Sequence, residues 1–183
     1  MDIAAILKWL ESTALATQIR ESLYLFPFAE AIHVIGLALV FGTILVLDLR
    51  LLGFASSERP FGKVAADILK CTWVAFALTA ITGALMFITN ADVYFHNTYF
   101  RVKMLLLALS GVNMAAFEVT ARKTVQEWDT AKSAPRSGRV VAALSLVLWI
   151  SIIFTGRLIG FTTSHAAKET PIPADVNFDD LLK

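Results

Sequence analysis

His33 is the only ionisable side chain between Ala31 and Leu47, inside a run otherwise apolar enough for a membrane interior. A titratable group at that depth must find a hydrogen-bond partner or a ligand, so it marks a site by default. It stands roughly 9 Å along a helix axis from Pro27. Residues able to complete a site recur on the later hydrophobic stretches. Thr72, Ala75, Thr79, Thr82, Gly83, Met86 and Asn90 follow helical spacing and form a small and polar stripe that lipid does not favour, which predicts that it faces other helices. Its Met86 end falls near the depth of His33. Lys103, with Arg101 beside it, opens the third stretch, and Arg157 lies toward the end of the fourth, where a buried guanidinium requires an anion. An imidazole, a thioether, small residues opposite and cations at one edge are what a b-type haem inside a helical bundle requires. His33 is then the axial ligand and Met86 the candidate second ligand, while Lys103 and Arg157 hold the propionates. Otherwise the iron is five-coordinate, or recruits His96 or His165 from outside the spans. Copper or another transition metal at His33 and Met86 is the alternative.

Plainer readings accompany each residue. His33 also satisfies itself by bonding to Glu30, one turn before it, or to a neighbouring helix. Met86 also serves as packing, Arg157 with Glu30 as a structural ion pair, and His96 and His165 as solvated residues. Asp48, Arg50, Glu118 and Arg122 form a second polar set at the other end of the spans, and the four-residue spacing of Glu118 and Arg122 reads as a local pair. Asn113, with Ser110 and Gly111, is the chemistry of helix contacts. Cys71, the sole cysteine, excludes an internal disulfide and a thiolate metal cluster, and reads as a small apolar filler.

The elements that must position these groups are helices. The hydrophobic pattern predicts an all-α membrane four-helix bundle, a single domain over 1–183, with spanning helices at 26–49, 68–90, 102–121 and 140–161. Residues 1–22 have Ile3, Ile6, Leu7 and Leu10 on one face and Trp9 suited to headgroup depth, which predicts an amphipathic helix lying in the interface. Asp2, Lys8 and Glu11 interrupt the pattern of a secretory signal, so the segment is expected to stay on the mature chain. Tyr24, Phe26 and Phe28 around Pro27 anchor the entry into the bilayer, and 162–183, with two prolines and several acids, is expected to be an exposed tail.

Of the 183 residues, 57% are hydrophobic and 17% charged, with a mean hydropathy of +0.67, which places the chain among integral membrane proteins. A net charge of +1 and the lack of any basic recognition element give no reason to expect nucleic acid as a partner. The lipid bilayer is the partner composition implies, with other membrane or periplasmic redox proteins implied by the haem reading. Lysine and arginine favour the cytoplasmic side. The side of the first and third inter-helix loops carries Arg50, Arg59, Lys63, Lys70, Arg122, Lys123, Lys132, Arg136 and Arg139, which predicts that both termini lie across the membrane from the cytoplasm.

The runs IHVIGLALVFGTILVLDLRLLG, TGALMF, FRVKMLLLALSGVNMAAFE and SLVLWISIIFTGRLIGF together resemble a widespread bacterial family of uncharacterised four-span membrane proteins, from about Glu21 to Phe161. That resemblance implies a multi-pass protein of the bacterial inner membrane. A looser similarity, a histidine near the start of a glycine-bearing span, extends to copper-resistance membrane proteins and small membrane haem proteins, and implies a cofactor or metal site at His33. The expectation is therefore haem b near the outer face for electron transfer or redox work. A metal-handling or small-solute membrane protein and a non-catalytic membrane subunit are the alternatives.

Overall fold

The computed structural model describes residues 2–54, 60–120, 122–129, 131 and 134–168, with the backbone alone at 122 and 164–168. Four long helices carry the fold: α3 (Leu25–Leu52), α4 (Phe61–Thr89), α6 (Thr98–Val119) and α8 (Arg136–Lys168), each long and apolar enough to cross a membrane. Shorter helices α1 (Ile3–Glu11), α2 (Ala14–Glu21), α5 (Ala91–His96) and α7 (Val125–Trp128) cover the ends. Among the described residues there are no strands. Large apolar side chains such as Val34, Ile35, Val74, Leu105, Val112, Val147 and Phe154 point away from the protein, as they do where lipid is the solvent. This is an all-α multi-pass membrane bundle.

All four spans begin before the expected bounds, and α3 and α8 also end beyond them, because capping lies beyond the hydrophobic runs. Helices α4 and α6 end at Thr89 and Val119, just short of the expected 90 and 121. Helix α3 continues to Leu52 and stops at Gly53, whose left-handed φ of 87° lets its N–H and that of Phe54 close onto Arg50 O and Leu49 O. Helix α8 continues past 161 to Lys168, so the first part of the expected tail is helical. The remainder of the tail lies outside the described residues. The N-terminal segment is two helices, not one, broken at Thr13, whose side chain accepts the Ala16 N–H at 3.3 Å.

Helices α3 and α4 pack as one pair, α6 and α8 as another, and α3 against α8 joins them. The order in space is α4, α3, α8, α6, so the bundle is a crescent whose outer helices α4 and α6 stand apart. Aromatic pairs bridge that gap at its two ends: Phe87 stacks on Phe100 at 5.3 Å between centroids, and Phe61 meets Phe117 edge-on at 6.1 Å. Between them a window opens sideways.

Each end is closed by side chains that satisfy helix termini. At one end Arg20 of α2 donates to Thr89 O of α4 at 3.0 Å, Glu11 of α1 accepts the Asp92 N–H of α5 at 2.9 Å, and Asn97 caps α6 while donating to Thr162 of α8. At the other, Asp129 accepts the Gly62 N–H at 2.7 Å and offers its carbonyl to Phe61, while the buried Arg50 guanidinium donates to Ala131 O and Asp129 O. Trp128 is buried against Phe61. The described part of the polar stretch before α8 thus forms a plug under the bundle.

Candidate functional site

His33 is held between α3 and α4 by the stripe on α4. Its Nδ1 lies 2.9 Å from Thr79 O and 3.2 Å from Thr82 Oγ1. A carbonyl only accepts, so Nδ1 carries the proton, and Thr82, whose own hydroxyl donates to Leu78 O at 2.9 Å, accepts a share of the same N–H. In the neutral ring this leaves Nε2 as a bare lone pair. The ring lies against Gly83: a Cβ built there would come within 2.9 Å of Cε1 and 3.3 Å of Nδ1. One turn after His33, Gly36 admits the Thr79 hydroxyl in the same way, and Thr43 and Thr72 bond across the seam at 2.9 Å. The part of the stripe from Thr72 to Gly83 therefore faces α3 and lets two helices approach around one imidazole.

The cations arrive from the other pair of helices. Lys103 of α6 is half-buried, its Nζ sits over Gly156 of α8, and its charge acts on His33. No carboxylate among the described residues pairs with it. Arg157 departs from the sequence expectation of a buried guanidinium: it is exposed and lies over the Phe161 ring at 5.4 Å. Glu30 is exposed too and forms no described pair with either His33 or Arg157, because His33 turns to α4 instead of along its own helix. Met86, half-buried, follows Gly83 by three residues on α4.

Tyr94 of α5 adds a phenol at this end, among Phe87 and Phe100; burial, and after it the charge of Glu30, raises its pKa above the usual range. His96 is exposed, engages Asp92 at 2.9 Å to its carbonyl and 3.4 Å to its carboxylate, and meets the Phe95 ring edge-on at 5.5 Å between centroids. The side chain of His165 lies outside the described residues, as does that of Arg122, so the expected Glu118–Arg122 pair is not described either. Cys71 is exposed on α4 instead of filling a gap. Asn113 does bridge helices, donating to Val141 O at 3.1 Å.

Sequence reasoning missed the caps. Arg20, Asp129 and Asn97 read as ordinary polar residues outside the spans, and only their nearness to a helix end marks them: Asn97 directly precedes α6, whereas Asp129 reaches α4 across 67 residues, a pairing no local pattern contains.

A family model described as "Family of unknown function (DUF6644)" matches residues 3–162, and this chain belongs to that family. No curated protein and no solved structure matches it.

Proposed function

We propose that this family member binds a b-type haem in the half of the bundle that holds His33, with His33 Nε2 as axial ligand, for electron transfer or redox chemistry. The observation that carries the reading is the hydrogen bond from Nδ1 to Thr79 O. Ligating histidines characteristically donate their second ring N–H to a carbonyl or carboxylate, which fixes the tautomer and aims the other nitrogen. A purely structural histidine needs only one bond, yet here the Nδ1–H is shared between two acceptors, Thr79 O and Thr82 Oγ1, and the ring is seated on a glycine.

The surrounding residues fit the group. A haem brings four nitrogen ligands of its own and asks one or two from the protein, whereas copper or zinc held by side chains needs three or four. Among the described residues no three His, Cys, Asp or Glu side chains converge. That favours haem over a bare metal. Lys103, without a described anion, suits a propionate, and Arg157, toward the outer end of α8, would meet the second at the surface. Met86 would be the candidate second ligand. When bound, the group supplies one-electron chemistry; the chain's own part is to fix the imidazole, neutralise the propionates and keep the site among apolar helices.

The test is His33→Ala, with haem measured against protein after purification from cells supplied with haem. The variant is expected to assemble, because helix packing supplies most of the stability and one interhelical hydrogen bond in a membrane is worth about 0.6 kcal/mol, yet to lose nearly all haem. Unchanged occupancy would move the site away from His33.

A further inference from the structure

A second site lies in the opposite half of the bundle, roughly 22 Å along α3 from His33. It is a cavity of about 270 Å³ in the window between α4 and α6, floored by α3 and α8. Its walls are apolar and strongly aromatic, with Phe61, Trp73 and Phe76 on one side, Phe117 on the other and Trp149 on the floor. Two acids, Asp48 and Glu118, also line it, and among the described residues no lysine, arginine or histidine does.

Asp48 is the unusual member. It is 6% exposed, and its Oδ2 is shielded from solvent without a hydrogen-bond partner. Ser145 lines the same cavity. Arg50, two residues on, is engaged with the plug at Ala131 O and Asp129 O. A carboxylate on an apolar wall with an unfilled acceptor is costly unless something completes it.

We infer that this cavity binds a small lipophilic amine in its ammonium form, entering sideways from the bilayer through the α4–α6 window, its N–H donating to Asp48 and its charge facing the aromatic walls. Two features select a cation over a neutral alcohol. Asp48 pairs with no cation among the described residues, and faces of tryptophan and phenylalanine attract cations most strongly where water is excluded. The volume limits the occupant to a single-ring amine or one of similar bulk, smaller than the range of drug-sized sites.

The probe is N,N-dimethylbenzylammonium, compared with its neutral isostere isobutylbenzene, titrated calorimetrically into the full chain in lipid nanodiscs. The ammonium is expected to bind at least about tenfold more tightly than the isostere, with the preference gone in Asp48→Asn, since truncating one partner of a buried charge pair weakens binding severely. Equal affinity of the two ligands, no binding of the ammonium, or a preference that survives in Asp48→Asn overturns the proposal. Should Asp48→Asn not fold, Gly111→Leu decides: Gly111 lines the cavity and a Cβ there meets nothing within 4 Å, so the larger side chain is expected to take up cavity volume. Loss of ammonium binding in that variant supports the assignment, and undiminished binding overturns it.

Discussion

At His33 the decisive atom is Nε2, because every described contact of the ring engages Nδ1 or Cε1. Orientation is therefore the property to perturb without touching the ligand itself. Gly83→Val pushes side-chain atoms into the space of Cε1 and must turn the ring off Thr79 O, and lost outer-shell orientation weakens metal sites by about tenfold or more. Haem retention under dilution should fall accordingly. Gly42→Ala is the control: a Cβ there meets nothing within 4 Å, and the change removes a helix-interior glycine, for an expected gain of ~0.8 kcal/mol with haem content unchanged. If both variants retain haem equally, Gly83 is not a support of the site. The sequence made His33 and its facing stripe legible, because an ionisable residue in an apolar run and small residues at helical spacing are local patterns. It did not reveal the partner. Glu30 at one turn's distance was the local candidate, while Thr79 O is a backbone atom 46 residues away and has no signature in residue type.

Among the elements, the four spans were visible in hydropathy and their ends were not. Spanning length follows from composition, whereas an end is set by whichever group satisfies the last N–H or C=O. Helix α4 begins at Phe61 instead of residue 68 because Asp129 and the Asp129 carbonyl take its first amides, which lets seven more residues wind before the apolar core of the span. Asp129→Ala removes that cap and should cost about 1 kcal/mol, a typical loss for an N-cap acceptor. Thermal unfolding in detergent would register it as a lower midpoint, with the largest gain in amide exchange at Phe61 and Gly62. An unchanged midpoint with unchanged exchange would mean that the plug contributes nothing to holding α4. The same reasoning explains Arg50, which sequence placed at a loop boundary and the structure buries under that plug.

For the molecule as a whole, the crescent order α4, α3, α8, α6 was not legible, since a hydrophobic pattern states that helices pack without stating which pair stays apart. Orientation rests on the excess of basic residues at the Gly53 and Asp129 end. Reporter fusions after Gly62 and after Pro135 should behave as cytoplasmic and one after Asn97 as external; the reverse pattern would put His33 on the cytoplasmic side and remove the case for periplasmic redox partners. The central claim is the proposed haem: the imidazole has its Nδ1 proton committed and Nε2 open, and Lys103 lacks a described anion, so a ligand supplying both iron and carboxylates would complete both groups. The most direct measurement is the visible spectrum of the purified wild-type protein, oxidised and then reduced with dithionite. A Soret band that shifts on reduction, with a resolved α band, is the expected result; colourless protein from haem-replete cells that also fails to take up added haem would contradict it.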